Sequence, residues 1–212
     1  MRFTLAPDLT GVVRPGVLWL DGAVVIEHDA RMNAPLAAAE AAVRMSPPVE
    51  TSAVRSMYKR VGLDPTRTRP SSEALLRRVR RGDTLPRINS MVDVCNWCSL
   101  ELQLPYGLYD AARIEGDVEL RLGHAGECYA GIRKDEVHVG GRITLADGRG
   151  AFGNPTSDSA RTMVTLQTRA ALVTVYAPGS FSEARLLDIL KETEATLVRY
   201  CGGRGTERRV VT

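Results

Sequence analysis

The sequence predicts an α+β fold in which a helical segment packs against a mainly antiparallel mixed sheet. Helical spacing dominates the chain up to residue 102, and alternating polar and apolar residues with glycine turns begin after Gly116. The strands do not alternate regularly with crossover helices, as they would in a parallel α/β fold. A chain of 212 residues is long enough for one large core, so we predict a single domain. We divide this domain into four segments. Residues 1–50 hold N-terminal strands and a helix, residues 51–115 form the helical part, residues 116–203 form the sheet-rich part with a final helix, and residues 204–212 are the tail.

The first half begins with two apolar runs and continues with helices. Residues 12–20 and 23–26, separated by Asp21 and Gly22, predict a short hairpin. Apolar spacing and proline or glycine stops then predict four helices, the third of which has a Ser-rich start and arginines that face outward. These helices are expected over residues 35–45, 51–61, 71–82 and 89–102.

The second half is expected to be mostly sheet. Alternation predicts strands over residues 118–122 and 136–139, and a β-branched run predicts another over 171–176. Ser180 and Glu183 match a capping box for the final helix, which Gly202 and Gly203 end. We expect residues 204–212 to be a frayed basic tail, and the segment 106–115 between the two halves is the natural place for a cleft.

Composition and cysteine usage indicate an ordinary globular protein. We find no apolar run of the roughly 18 to 20 residues that a membrane span needs and no apolar core of a signal peptide, so we predict a cytoplasmic location. The four cysteines are irregularly spaced, which favours free thiols over a disulfide scaffold. They are Cys95, Cys98, Cys128 and Cys201.

Positive charge is concentrated in one segment. Residues 59–87 contain nine Lys or Arg against three Asp or Glu, a net charge of +6, while the rest of the chain sums to −3. Phosphate contacts need positive charge but no particular sequence, so a polyanion can dock there. A solvated helix face is the competing interpretation.

The motifs leave most common chemistries without support. Cys95 and Cys98 form a CxxC motif, which together with His124 and Cys128 would supply four zinc ligands. Cys95 and Cys98 lie in an apolar helical run, however, and two buried thiols explain the motif better. A redox CxxC lacks a thioredoxin-like strand before it, and Cys95 as a nucleophile would need a histidine base that the sequence does not identify. Residues 158–162 cluster an acid, hydroxyls and a guanidinium, which either organise a polar pocket or cap an element. We expect neither a metal nor a cofactor.

Four blocks with specific order and spacing resemble the B-three/B-four domain family, which includes the editing domain of bacterial phenylalanyl-tRNA synthetase beta subunits. The likeness continues through Gly126-Glu127, Asp158-Ser159 and Arg161-Thr162, and covers roughly residues 51–203. The four blocks are Ser71-Ser72-Glu73-Ala74-Leu75-Leu76-Arg77-Arg78, Arg87-Ile88-Asn89-Ser90-Met91-Val92-Asp93-Val94-Cys95-Asn96-Trp97, Leu104-Pro105-Tyr106-Gly107-Leu108-Tyr109-Asp110 and Ile114-Glu115-Gly116-Asp117.

The resemblance implies a free-standing hydrolase that clears misacylated tRNA, with an aminoacyl pocket between the two halves. Asn96 and Asp158 are then the expected catalytic residues, as a carbonyl donor and as the partner of the water or amino group. The acceptor end of tRNA is the expected partner, with a synthetase as a further one. The expected substrate-binding residues are Cys95, Tyr106, Gly107, Tyr109, Arg161 and Thr162, and the expected tRNA-binding residues are Arg77, Arg78, Arg80 and Arg81.

Two positions depart from the synthetase pattern. Cys95 stands where the synthetase has a threonine, and Gly107 stands where it has a histidine. We expect the loss of that side chain to widen the pocket beside Tyr106 and Tyr109. Two other functions stay open: a non-catalytic tRNA-binding or synthetase-associated module, and a biosynthetic enzyme that handles aminoacyl-tRNA or amino acids, with Cys95 as an acyl acceptor.

Overall fold

The computed structural model describes residues 1–47, 51–133 and 135–212 and shows the predicted α+β fold. The described helices are α1 (Asn33–Met45), α2 (Ser52–Arg60), α3 (Ser71–Arg80), α4 (Ser90–Leu102) and α5 (Glu183–Cys201). The described strands are β1 (Phe3–Leu5), β2 (Val13–Asp21), β3 (Tyr106–Asp110), β4 (Val118–Leu122), β5 (Cys128–Ala130), β6 (Glu136–His138), β7 (Ile143–Asp147), β8 (Gly150–Gly153), β9 (Ala170–Pro178) and β10 (Arg204–Val210).

The strands form three sheets rather than one. One sheet has the order β10-β2-β9-β3 and is antiparallel throughout, and a second has the order β1-β4-β7-β8 with one parallel pair, β1 with β4. A separate two-stranded ribbon joins β5 to β6. The prediction of mainly antiparallel pairing is therefore confirmed, with the strands divided among three sheets.

All four predicted helices of the first half are present, close to their expected bounds. Asn89 caps α4 by accepting a hydrogen bond from the N–H of Val92, at 3.0 Å. The stop expected at Pro48 lies outside the described residues, but α1 already ends at Met45. The last helix is present as well, although Ser182 rather than Ser180 is its cap and accepts from the N–H of Arg185.

Two predictions about the ends of the chain are wrong. Residues 12–26 do not form a hairpin, because β2 pairs instead with β9 and β10, while Ala23 and Val25 turn into the core without joining a strand. Residues 204–210 are not a frayed tail but the edge strand β10, which pairs antiparallel with β2. Both errors have the same cause, since strand pairing across most of the chain leaves no local signal.

The core fills the space between the helices and the sheets. Its largest buried side chains include Tyr58, Tyr109, Tyr176 and Phe152, which lie where the helical part meets β3, β8 and β9. All four cysteines are free thiols, as predicted. In the part of the chain that the structure describes, no helix has the length and apolar character that crossing a bilayer would require.

Candidate functional site

A pocket of about 310 Å³ lies between the helical part and the sheets, beside the segment where a cleft was expected. The first turns of α3 and one face of α4 form one wall, and β3 with the loop after β8 forms the other. The pocket brings together four of the predicted site residues, Cys95, Asn96, Tyr106 and Asp158. These residues are up to 63 positions apart in the sequence, so the fold alone makes them neighbours.

Helix α4 presents Cys95 and Asn96 to the pocket because residues three and four apart share one helix face. Val92 and Ser99 complete this face, one turn before and one turn after. The start of the helix is fixed by the buried carboxylate of Asp93, which accepts from the Arg87 guanidinium at 2.6 Å and from the N–H of Ile88 at 2.8 Å. The amide of Asn96 has no hydrogen-bond partner among the described residues and is therefore available to a ligand.

The loop after β8 is shaped by Asn154. Its side-chain oxygen accepts from the N–H groups of Thr156 and Ser157, at 2.8 and 2.9 Å, and its side-chain nitrogen donates to the Tyr129 hydroxyl at 2.8 Å. Such an Asx-type turn fixes the backbone that follows. The turn delivers Asp158 to the pocket wall.

Asp158 has the most unusual environment of the pocket. The Tyr109 hydroxyl donates to its Oδ1 at 2.7 Å and lies 2.9 Å from the Tyr176 hydroxyl. Desolvation by burial raises the pKa of Asp158 to about 7, against hydrogen bonds from Tyr109 and from the backbone N–H of Leu108, which lower it. A carboxyl with this pKa holds or releases a proton near neutral pH, as a general base or acid must.

Gly107 does not widen the pocket, contrary to expectation. The space that a side chain at this position would fill is occupied by the Tyr109 hydroxyl, and the same is true at Gly153 on strand β8 of the other four-stranded sheet. The two glycines together form a slot for the Tyr109 ring, which stacks edge-on against Phe152. Tyr109 is fully buried and reaches the pocket only through Asp158, while Tyr106 forms part of the wall and its hydroxyl pairs with that of Thr193.

Cys95 is poorly placed to act as a nucleophile. Burial raises the pKa of its thiol well above the ordinary value, so the reactive thiolate is suppressed. Among the described residues that line the pocket, none is a histidine able to take its proton. The thiol is better suited to packing than to carrying an acyl group.

Arg161 and Thr162 lie away from the pocket. The Arg161 guanidinium binds the buried Asp147 carboxylate through two hydrogen bonds of 2.9 Å, donates to the carbonyl of Arg113, and stacks over Phe152. Thr162 is fully buried, and its carbonyl accepts from the backbone N–H of Asp110. We call Asp147, Arg161, Arg113 and Phe152 the Asp147 cluster. It links β7 to the loop before β9 and lies outside this pocket.

The predicted tRNA-binding arginines of α3 do face outward. Arg77 pairs with Glu73 at 3.0 Å, Arg78 donates to the carbonyl of Thr84, and Arg80 donates to the carbonyls of Ser46 and Pro47. Arg81 follows at the exposed end of the helix. Leu75 of α3 lines the pocket, and a rise of about 1.5 Å per residue places these cations about 3 to 9 Å further along the helix axis.

A groove lies beside the pocket, and its residues were not predicted from the sequence to form a site. It has a volume of about 300 Å³, shares Thr156 and Ser157 with the pocket, and carries Arg67 and Arg142. Within the described chain, the Arg142 guanidinium has no hydrogen bond or salt bridge. The one signal in the sequence for an accessible cation at Arg142 is its position directly after the Gly140-Gly141 turn. Arg133, also missed, lies at the pocket rim in a left-handed conformation with φ 53°.

Comparison with solved structures supports the fold. The chain resembles an N-terminal fragment of the phenylalanyl-tRNA synthetase beta subunit from Pyrococcus horikoshii, with a TM-score of 0.50 and 14% sequence identity. The match covers 99% of this chain and 50% of that fragment. At this level of identity the likeness concerns the fold alone.

Sequence comparisons lead to the same group of proteins. The chain is 32% identical over 89 residues to the phenylalanine–tRNA ligase beta subunit of Paramagnetospirillum magneticum, covering 36% of this chain and 11% of that protein. It is 27% identical over 149 residues to the Bartonella henselae beta subunit, covering 58% of this chain and 18% of that protein. The chain thus spans less than a fifth of the length of these relatives. The family model of the B3/4 domain matches residues 53–194, and the chain therefore belongs to the B3/4 domain family.

Proposed function

We propose that this protein hydrolyses the ester bond of wrongly charged aminoacyl-tRNA in the pocket between its helical part and its sheets. Family membership supports an aminoacyl-tRNA substrate, because the related domains belong to phenylalanine–tRNA ligase beta subunits. One observation of this chain carries the catalytic part of the proposal. The Asp158 carboxyl, with a pKa of about 7, lines the same pocket as the unpartnered amide of Asn96.

In this proposal Asp158 acts as the general base. Its ionised carboxylate accepts a proton from water, and the resulting hydroxide attacks the ester carbonyl while Asn96 donates a hydrogen bond to the carbonyl oxygen. The proton then passes to the ribose oxygen as the ester bond breaks, which gives a free amino acid and uncharged tRNA. No covalent nucleophile is needed, because an aminoacyl ester is already activated and positioning supplies much of the rate.

The pocket wall favours an acyl group with an apolar side chain. Apolar residues from α3, α4 and the segment before it, β3 and the loop before β9 surround the space, and a ligand side chain of similar character would be desolvated favourably. They include Leu75, Ile88, Val92, Leu108, Met163 and Val164.

The nucleic acid would reach the pocket along the neighbouring groove. Arg142 and Arg67 line this groove, where they would contact a phosphate that follows an acyl group placed beside Thr156 and Ser157. The outward arginines of α3 would add a second and more distant phosphate contact. In this proposal the protein acts in the cytoplasm.

A non-catalytic tRNA-binding module is the second candidate, and one observation favours it. Cys95 and Gly107 stand where the resemblance implies a threonine and a histidine, and the Tyr109 hydroxyl occupies the space that a side chain at Gly107 would fill. A domain that had lost its chemistry would retain the basic groove and the fold. The third alternative, acyl transfer to Cys95, is opposed by the burial of that thiol.

Deacylation of a panel of correctly and wrongly charged tRNAs tests the proposal. The wild-type protein should release one acyl group rapidly, and Asn96→Ala should slow that release by about 100- to 1000-fold. Cys95→Ser, which keeps the size of the side chain, should retain activity. An inert panel with salt-sensitive tRNA binding would favour the binding module, and a panel without binding would contradict both candidates.

A further inference from the structure

The β5–β6 ribbon has one face in the protein and one face outside. Tyr129 and Val137 are buried together in a small apolar cluster, which anchors the inner face. Side chains alternate between the faces of a strand, so Cys128, Glu136 and His138 share the outer face. Glu136 and His138 are exposed, and Cys128 is half-buried.

The three outer side chains converge. Cys128 and His138 are directly opposed in the antiparallel register, and Glu136 precedes His138 by two residues on the same face. The Cys128 thiol donates to Oε1 of Glu136 at 2.8 Å, and Nε2 of His138 lies 3.6 Å from Oε2 of the same carboxylate. One sulfur, one nitrogen and one oxygen all lie within 4.8 Å of one another.

This spacing is close to that of ligands around a single metal ion. Zinc–ligand bonds of about 2.0 to 2.3 Å in a tetrahedral arrangement place neighbouring ligand atoms roughly 3 to 4 Å apart. Small side-chain rotations from the observed arrangement reach that separation. Thiolate, imidazole and carboxylate together are the donor types that zinc and its cobalt substitute accept.

We propose that Cys128, Glu136 and His138 bind a divalent transition-metal ion of the zinc class, with the fourth position open to water. This site differs from the set considered in the sequence, because Cys95 and Cys98 are buried in α4. Metal binding can be tested without the proposed hydrolysis, although Glu136 and His138 also line the groove proposed for the nucleic acid. A bound ion would link β5 to β6 at the base of the ribbon, and the segment between these two strands supplies Ile132 and Arg133 to the pocket.

Titration of the reduced protein with Co²⁺ tests this site. One equivalent should produce the charge-transfer absorption of a thiolate–cobalt bond, and addition of Zn²⁺ should abolish it by displacement. The band should be absent in Cys128→Ser, and His138→Gln should weaken the affinity at least tenfold. The exposed His124→Gln on the preceding loop is the matched control and should bind like the wild type.

Three results would overturn the proposal. They are no thiolate–cobalt band in the wild-type protein, a band that persists in Cys128→Ser, and equal affinities for His138→Gln and His124→Gln. Circular dichroism of each variant establishes that the comparison is made between folded proteins. Because the changed side chains lie on the outer face of the ribbon, folding is expected to be preserved.

Discussion

Asp147 and Asp158 are two carboxylates in the sheet-rich half whose surroundings have opposite effects. Burial opposes ionisation of Asp147, but hydrogen bonds from Arg161 and from the N–H groups of Glu115 and Arg149 hold its pKa below the ordinary value of 3.8. Asp158 has no cation among its described hydrogen-bond partners, and burial raises its pKa to about 7. The first carboxylate is charged and paired at neutral pH, whereas the second changes its charge near neutral pH.

This difference separates a structural polar group from a reactive one. The Asp147 cluster satisfies its own charges, and no part of it lines the pocket. Asp158 is held by Tyr109, lines the pocket, and carries the thermodynamic cost of a poorly compensated charge when ionised. Groups with strongly perturbed pKa values in a cleft are candidates for chemistry.

The largest expected effect is on hydrolysis. Asp158→Asn keeps the shape of the side chain but removes the base, so the single-turnover rate of deacylation should fall by about 100-fold or more. Asp147→Asn should change that rate less than about threefold at a temperature where it remains folded, because its carboxylate does not reach the substrate. Equal losses of the deacylation rate in the two variants would show that Asp158 is no more catalytic than Asp147.

The free energy of unfolding should be affected in the reverse order, with a loss for Asp147→Asn and none for Asp158→Asn. Asp147→Asn leaves the Arg161 guanidinium without its partner and should lower the free energy of unfolding by about 2–3 kcal/mol at pH 7. Because the folded pKa of Asp147 lies below its unfolded value, this contribution is present at neutral pH and is lost as the pH falls below about 4. Denaturant unfolding of the variant and the wild type at pH 7 and pH 3 measures both statements.

Asp158→Asn should instead stabilise the protein at pH 8. Because the folded pKa of Asp158 lies above its unfolded value, its contribution to stability is full below about 4 and declines as the pH rises to about 7. Removing the charge should therefore raise the free energy of unfolding by about 1–3 kcal/mol at pH 8 and have little effect at pH 4. A variant less stable than the wild type at pH 8 would show that the carboxylate is structural.

The smallest expected effect is on tRNA affinity, and it distinguishes Arg142 from Arg161. Arg142→Ala should weaken tRNA binding by about 5- to 10-fold and reduce the salt dependence by about one phosphate contact. Arg161→Lys, which keeps a positive charge beside Asp147, should leave the affinity within about twofold. Filter binding at several salt concentrations measures both affinities, and weaker binding by the Arg161→Lys variant would show that Arg161 contacts the tRNA.

The helices were predictable because their signals are local. The cap at Asn89 and the glycine after α5 both lie beside the elements that they delimit. The partners of β2 were not predictable, since β9 and β10 lie more than 140 residues away and its own apolar run fits several pairings equally well.

The candidate site was predicted in part for the same reason. The family-like spacing identified Asn96 and Asp158, which the fold places in one pocket. The resemblance assigned Arg161 to the substrate, whereas its pairing with Asp147 on β7 was not predicted, because nothing in the sequence connects these two residues 14 positions apart. The Tyr109 slot depends on Gly153, which belongs to a different sheet from Gly107.

The dependence of the deacylation rate on pH tests the central claim most directly. Single-turnover hydrolysis of the preferred aminoacyl-tRNA, corrected for spontaneous hydrolysis, should rise about tenfold per pH unit below pH 7 and level off above it, because only ionised Asp158 accepts the proton. Tyr109→Phe should move the midpoint to higher pH, since the Tyr109 hydroxyl favours the ionised form. A profile without a midpoint near pH 7, or one that is unchanged in Asp158→Asn, would contradict the assignment of Asp158 as the base.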